Sequence, residues 1–184
     1  MDDISVGGLT ILLAEDEKND VYLFREAYSR AKLSNPLQVV RDGVEVTEYL
    51  SGKGKYADRE QYAYPILLLL DWRMPRMDGI ETLAWIRKEE GIKNLWVVML
   101  TNENEQRGID KENTLRANSF FAKPGSREGW GSLIAMIHGC WLNLAETARL
   151  HCAKDRKRRN NNAINLIDAR TAQGFYTALG FGVF

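Results

Sequence analysis

The sequence predicts an α/β fold in which a doubly wound, five-stranded parallel sheet of five βα units is followed by a C-terminal helical or irregular extension. Unbroken apolar runs such as residues 65–70 are typical of strands that are buried on both faces of a parallel sheet. These runs alternate with segments whose apolar residues have helical spacing, as in right-handed βαβ units. Polar residues follow the runs directly, at the carboxyl ends of strands where ligands of open α/β sheets bind.

The first half of the chain is predicted to hold three strands, two helices and one long loop. The strands are residues 9–14, 37–40 and 65–71, and the helices are residues 18–33 and 44–50. The first helix is predicted because Val21, Phe24, Ala27 and Tyr28 share one face, and Pro36 prevents its continuation. Residues 51–64, which contain several glycines, lysines and tyrosines, have the length at which loops commonly carry a role of their own.

The second half continues the alternation of strands and helices. Asp78-Gly79 predicts a turn in which Gly79 is able to adopt a positive φ before the next helix. The remaining segments are a helix from residue 80 to near residue 91, a strand at 95–101, a polar helix at 103–118, a strand at 119–122 and an amphipathic helix from 131 to about 148. We therefore expect one domain over residues 1–148 and an extension, without a domain of its own, over residues 149–184.

Bulk composition predicts a globular protein of the cytoplasm. The chain has 184 residues, of which 45% are hydrophobic and 27% charged. No segment approaches the roughly 20 apolar residues needed to cross a bilayer, and the acidic start Met1-Asp2-Asp3 is unlike an export signal. Cys140 and Cys152 have no metal-type spacing, which favours a reducing compartment.

The zero net charge conceals an asymmetry between the two parts of the chain. Residues 1–148 hold 18 Lys and Arg against 23 Asp and Glu, a net charge of −5, whereas residues 149–184 hold 7 against 2, a net charge of +5. The basic run from Arg149 to Arg159 could bind nucleic acid electrostatically, or the apolar terminus could dock on a partner subunit or on the protein's own helices. The simplest interpretation is a solvated helix end followed by a poorly ordered segment; between the two functions we favour docking, because so short an extension is too small for an independent DNA-binding domain.

The predicted strand ends carry groups that could act together. Glu15 and Asp16 follow the first strand, Asp71 ends the third, Thr101 ends the fourth and Lys123 follows the fifth. Three neighbouring carboxylates repel one another unless cations join them. Lys123 supplies one charge, and Mg²⁺, a hard ion that prefers oxygen ligands, would supply the rest. Such a site suits phosphoryl transfer, with Asp71 as nucleophile and aspartyl-phosphate as product, while Thr101 and Lys123 contact phosphoryl oxygens.

With these residues in their motifs, the chain resembles the receiver domain of two-component response regulators, which has the CheY-like, flavodoxin-type fold. The motifs are Ala14-Glu15-Asp16-Glu17, the run from Leu70 to Gly79, Met99-Leu100-Thr101 and Phe120-Phe121-Ala122-Lys123-Pro124, within about residues 8–146. The resemblance implies that Asp71 is the phosphoacceptor and that Asp16 directly, and Glu15 through water, hold Mg²⁺. It also implies that Arg73 offers its backbone carbonyl to the metal.

The same resemblance assigns the remaining functional positions. Thr101 and Phe120 would be the switch residues, with Phe120 where the family often has tyrosine, and Lys123 would bind the phosphoryl group. The family tunes phosphoryl lifetime at the positions of Arg73 and Glu103, whose opposite charges could pair across the mouth of the site. We expect the protein to catalyse its own phosphorylation and slow dephosphorylation without being an enzyme that acts on an outside substrate.

The loop at residues 51–58 and the segment Cys140-Trp141-Leu142 look like those of the stand-alone receivers that partner phytochrome-type histidine kinases. This resemblance implies a sensor histidine kinase as partner and a homodimer formed through the fourth helix, fifth strand and fifth helix, with no membrane and no nucleic acid involved.

Two other functions remain open from the sequence. A Mg²⁺-dependent phosphatase could also use an aspartyl-phosphate, but such enzymes usually carry a second acid two residues after the nucleophile, where this chain has Arg73. A transcriptional regulator could bind nucleic acid through the basic extension. The response regulator is the function that the strand ends favour.

Overall fold

The computed structural model describes residues 9–102 and 117–142. Five parallel strands form one sheet in the order β2-β1-β3-β4-β5. The strands are β1 (Thr10–Ala14), β2 (Leu37–Val40), β3 (Pro65–Asp71), β4 (Trp96–Thr101) and β5 (Ser119–Ala122). The predicted doubly wound parallel sheet is confirmed, and every strand boundary lies within one residue of its prediction.

Helices connect the strands and cover both faces of the sheet. They are α1 (Lys18–Arg30), α2 (Gly43–Ser51), α3 (Gly79–Lys88) and a last described helix, Arg127–Ile137, called here the Arg127 helix. The α1 helix is shorter than predicted because Ala31 caps it and Lys32 then adopts a left-handed φ of 52°. The Arg127 helix begins four residues before its prediction, because the Ser126 hydroxyl accepts a hydrogen bond from the Gly129 N–H at 3.1 Å and starts the helix earlier.

The turn after β3 differs from its prediction. Gly79 does not have a positive φ; the left-handed residue of this turn is Arg76, at φ 65°. Position 79 requires glycine for a different reason: the Asp71 backbone lies so close that an added Cβ would be 2.2 Å from its carbonyl oxygen. The α3 helix starts at Gly79 in a capping box, in which the Asp78 side chain accepts from the Glu81 N–H and the Glu81 side chain accepts from the Asp78 N–H.

Alternation along the strands divides the core between the two faces of the sheet. One face packs against α2 and α3, and the residues of β1, β3 and β4 in this cluster are Leu12, Ala14, Leu68, Leu70, Val97 and Met99. The intervening strand residues are also buried, as are one face of α1, made of Val21, Phe24, Ala27 and Tyr28, and Trp130 of the Arg127 helix. The Phe24 ring meets the Trp130 ring edge-on at 6.0 Å. The central strand β3 is thereby covered on both faces, as its unbroken apolar run predicted.

The long loop between α2 and β3 is built around tyrosines. Tyr56 lies at the end of a short 3₁₀ helix, Gly54–Tyr56, and its ring centroid lies 5.0 Å from that of Tyr49 and 5.1 Å from that of Tyr62. Arg59 donates to the Leu50 carbonyl at 3.0 Å and closes the loop against the end of α2. The loop is therefore packed against α2 as a small aromatic cluster.

The chain divides into two compact units, residues 1–135 and 136–184. The described part of the second unit is the end of the Arg127 helix and a π-helical turn, His138–Leu142. Most of the helix predicted at 103–118 and the whole extension at 149–184 lie outside the described residues, although Ala117 and Asn118 form a bend before β5. Within the described ranges, no helix combines the length and apolar character that crossing a membrane requires.

Candidate functional site

The register of the sheet brings four predicted site residues to one edge. Ala14 pairs with Leu70, so Glu15 emerges beside Asp71. Asp71 pairs with Leu100, which places it next to Thr101. Thr101 pairs with Ala122, and the Lys123 N–H donates to the Thr101 carbonyl at 2.7 Å. Residues far apart in sequence thus meet because parallel strands share one carboxyl edge.

Lys123 is the centre of the charged cluster at this edge. Its ammonium nitrogen lies 2.7 Å from Glu15 Oε2, 2.9 Å from Asp71 Oδ1 and 3.3 Å from Asp20 Oδ2. The side chains of Lys123, Glu15 and Asp71 are only 6%, 1% and 5% exposed. Buried charges need such pairing, because removing them from water is costly.

The cluster still carries more negative than positive charge. Burial, followed by the charge of Asp71, raises the pKa of Glu15 to about 7, although Lys123 opposes the change. Burial also raises the pKa of Asp71, against the lowering effects of Lys123 and of the Arg73 backbone N–H. Burial opposes the charge of Lys123, but its hydrogen bonds to Glu15 and Asp71 raise its pKa above the ordinary value. The excess of carboxylates over Lys123 therefore favours the binding of a further cation at this site.

Without a divalent cation, this excess charge should make stability fall as the pH rises. Native Glu15 has a pKa of about 7 against 4.5 for the ordinary group, so the native state holds a proton that the unfolded chain has lost. The contribution to stability is complete below the lower value and disappears as the pH passes the higher one. We expect the free energy of unfolding in a chelator to fall by about 2 to 3 kcal/mol between about pH 5 and about pH 8.

Urea denaturation at several pH values measures this effect, and Glu15→Gln is the matched variant because it is neutral throughout. Its free energy of unfolding should vary less with pH than that of the wild type, and it should exceed the wild-type value at the alkaline end. Equal slopes for the two proteins would contradict the prediction.

The buried Thr101 hydroxyl is the fourth polar group at this edge of the sheet. The residue is fully buried, and within residues 9–102 and 117–142 its Oγ1 has no hydrogen-bond partner. A buried hydroxyl normally forms a hydrogen bond. A phosphoryl oxygen at Asp71, on the neighbouring strand, would provide the missing acceptor.

Three carboxylates have the arrangement of a metal site. One oxygen from each of Glu15, Asp16 and Asp71 lies within 4.8 Å of the others. Glu15 and Asp71 are buried, whereas Asp16 is half-buried at the opening. Oxygen ligands that leave part of the coordination sphere to water fit a hard divalent ion such as Mg²⁺. The residues present therefore fit the metal that the sequence suggests.

Two other predicted site residues, Arg73 and Phe120, belong to the described part of the chain. Arg73 is exposed in the loop after β3, and its backbone N–H hydrogen-bonds to the Asp71 carboxylate. Phe120 lies in β5, pairs in register with Met99 and is half-buried against the core. Glu103, the predicted partner of Arg73, lies outside the described residues.

Sequence reasoning missed Asp20, the third carboxylate on Lys123. Asp20 lies in the first turn of α1, four residues after Asp16. Its place in the first turn of the helix that directly follows the acidic pair was the available signal. It also missed the ion pair of Asp42 and Arg76, which depends on a contact between two loops.

Comparison with known proteins places this geometry in a family. The model of the response regulator receiver domain matches residues 11–135. The chain belongs to the response regulator receiver family. This receiver is 31% identical to response regulator Rcp1 of Synechocystis sp. over 153 residues, which are 83% of this chain and 100% of Rcp1.

Solved structures agree with the sequence comparison. The Mn²⁺-bound form of Rcp1 superposes with a TM-score of 0.64 at 30% identity, covering 73% of the receiver and 95% of Rcp1. The phosphorylated cyanobacterial phytochrome response regulator RcpA superposes with a TM-score of 0.61 at 30% identity, covering 72% of the receiver and 93% of RcpA. The expected similarity to phytochrome response regulators is confirmed.

Proposed function

We propose that this receiver accepts a phosphoryl group from a sensor histidine kinase on Asp71, in a Mg²⁺-dependent reaction, and signals through a conformational or dimerisation switch. The observation that carries the proposal is the position of Asp71. It is a buried carboxylate 2.9 Å from Lys123, beside two further acids and next to a buried hydroxyl with no hydrogen-bond partner in the described part of the chain. The Mn²⁺-bound and phosphorylated structures of its relatives support the proposal.

The reaction follows from the groups around Asp71. A carboxylate oxygen of Asp71 attacks the phosphorus of a phosphohistidine; the new O–P bond forms as the P–N bond breaks, and the imidazole nitrogen leaves with the bonding electrons. Lys123 pairs with one phosphoryl oxygen, and the Thr101 hydroxyl donates to another. Glu15, Asp16, Asp71 and the Arg73 carbonyl would hold Mg²⁺, which supplies neutralisation of the phosphoryl charge.

The phosphoryl group changes the charge that Thr101 and Lys123 face, and this change biases two existing conformations. In the proposal, Thr101 moves toward the phosphoryl group and Phe120 follows it inward. The surface that the helix predicted at residues 103–118, β5 and the Arg127 helix would form then repacks as a homodimer or partner surface. Hydrolysis of the aspartyl-phosphate by water resets the receiver slowly. The similarity to RcpA favours a phytochrome-type kinase, and a cytoplasmic location is part of the proposal.

The proposal is tested by incubating the receiver with acetyl phosphate or beryllofluoride in Mg²⁺ and measuring its mass and oligomeric state. We expect a covalent phosphoryl adduct with acetyl phosphate, a change in oligomeric state with either reagent, and neither effect in a chelator. A receiver that takes up no phosphoryl group in Mg²⁺ would overturn the proposal.

Arg73 should slow the loss of the phosphoryl group. It is exposed two residues after Asp71, where a long side chain can cover the mouth of the site and hinder an attacking water. Arg73→Ala is expected to shorten the lifetime of the phosphorylated receiver several-fold, measured by the decay of the adduct after removal of acetyl phosphate. Arg25→Ala, which removes an exposed arginine from α1, serves as control. An unchanged lifetime in Arg73→Ala would refute this role.

A further inference from the structure

The loop between β2 and α2 contacts both loops that carry the proposed metal ligands. The Arg41 guanidinium donates to the backbone carbonyl of Asp16 at 3.3 Å, in the loop after β1. The Asp42 carboxylate accepts a hydrogen bond from Arg76 Nε at 2.9 Å and forms an ion pair with the same guanidinium, in the loop after β3. Asp42 thus joins the β3–α3 loop to a neighbouring part of the fold.

The Asp42–Arg76 ion pair is built into the fold. The Asp42 side chain is only 6% exposed, and its other oxygen caps α2 by accepting the Glu45 N–H at 2.9 Å. The Gly43 N–H donates to the Met77 carbonyl at 3.1 Å, which brings the two loops together beside the pair. A buried carboxylate with both oxygens bonded is a rigid attachment point.

Arg76 has an unfavourable backbone conformation that contacts with neighbouring residues must stabilise. Its φ of 65° lies in the left-handed region, which a non-glycine residue adopts at a cost. Such strain persists where the surrounding structure holds the residue in place. The ion pair with Asp42 keeps the Arg76 side chain in place. The turn at Arg76 directs the chain from Asp71 back to the start of α3.

We propose that the Asp42–Arg76 ion pair positions the β3–α3 loop for divalent metal binding, so that both are positioning residues for metal affinity. The inference rests on the proposed metal site, in which the Arg73 carbonyl is a ligand. Arg73 lies between Asp71, fixed at the end of β3, and Arg76, fixed by Asp42. Groups that orient metal ligands commonly alter metal affinity by about 10- to 100-fold when they are removed.

The test measures Mn²⁺ binding to the whole chain by electron paramagnetic resonance, which requires no phosphoryl transfer. Asp42→Asn removes the charge and keeps a residue that caps a helix equally well. Arg76→Asn removes the guanidinium and substitutes a residue that tolerates a left-handed φ. We expect each variant to raise the Kd for Mn²⁺ about tenfold.

The direction in which each substitution changes the Kd for Mn²⁺ distinguishes positioning of the loop from long-range electrostatics. Removal of a negative charge at Asp42 should weaken cation binding through charge alone, but removal of a positive charge at Arg76 should strengthen it. If the ion pair positions the loop, both single variants should bind Mn²⁺ more weakly than the wild type. The double variant Asp42→Asn/Arg76→Asn should have a Kd no higher than that of either single variant, because all three proteins lose the same contact. Tighter binding in Arg76→Asn, or effects that multiply in the double variant, would overturn the inference.

Two further measurements complete the design. Near-ultraviolet circular dichroism checks the fold of each variant, and phosphoryl uptake from acetyl phosphate by the wild type checks that the receiver is competent. A wild-type receiver that binds Mn²⁺ and is phosphorylated, with unchanged Kd in both variants, would refute the ion-pair role alone. A wild type that binds no Mn²⁺ would overturn the proposed metal site and, with it, this inference.

Discussion

Replacement of Asp71 by asparagine is expected to abolish phosphoryl uptake from acetyl phosphate and to leave the fold intact. The amide has almost the same shape as the carboxylate but lacks the anionic oxygen that attacks phosphorus. The fold should tolerate the change because burial already disfavours the charge of Asp71, and Lys123 keeps Glu15 and Asp20 as partners. Intact-mass spectrometry measures the uptake, and thermal unfolding measures the fold.

Asp78→Asn is the matched control for this substitution. Asp78 lies in the loop that follows Asp71 and caps α3, and asparagine is an equally good cap. This variant should be phosphorylated like the wild type. If Asp71→Asn acquired a phosphoryl group at the wild-type rate, the phosphoacceptor would be another residue and the proposed mechanism would be wrong.

Replacement of Gly79 by alanine is expected to destabilise the receiver by about 3 kcal/mol, near the upper end of the usual cost of overpacking. The added Cβ would lie 2.2 Å from the Asp71 carbonyl oxygen and 3.0 Å from Trp72 Cα, both backbone atoms that cannot turn aside. Helix propensity alone predicts that Gly79→Ala stabilises the receiver, because alanine is favoured over glycine in a helix. Urea denaturation measures the free energy of unfolding.

Gly91→Ala provides the comparison, since an added Cβ there meets no atom within 4 Å among the described residues and the backbone is not left-handed. Its stability should stay within about 0.5 kcal/mol of the wild type, as for most surface substitutions. Equal stability of Gly79→Ala and Gly91→Ala would show that the chain after Asp71 can move away. The requirement for glycine at position 79 by close approach to the Asp71 carbonyl would then be wrong.

Strand positions were predictable because burial on both faces leaves a simple pattern. The apolar runs that became β1, β3 and β4 each end in a polar residue or are followed directly by one, so the candidate site could be assembled before any contact was known. Helix ends were less predictable. The start of the Arg127 helix depends on the Ser126 hydroxyl, and the end of α1 depends on the left-handed Lys32. Such local hydrogen bonds and backbone angles leave little trace in hydrophobic spacing.

Loop geometry was predicted least well. Asp-Gly is a common turn signal, and it suggested that Gly79 would have the positive φ. The structure assigns that conformation to Arg76, because the ion pair with Asp42 holds an arginine where glycine would be easier. Asp20 likewise joins Lys123 only once α1 packs beside the edge of the sheet. Contacts between separate loops cannot be read from spacing within either one.

The parallel sheet, the family resemblance and the identity of the groups at the strand ends could all be predicted from the amino-acid sequence. Each of these depends on local pattern: apolar runs, helical spacing, and the residue that follows each strand. Three features became evident only in the folded chain: Lys123 is shared among three carboxylates, position 79 requires glycine because the Asp71 carbonyl lies close to it, and Asp42 pairs with Arg76. These features arise from distances between segments far apart in the chain, and such distances exist only after the sheet has formed.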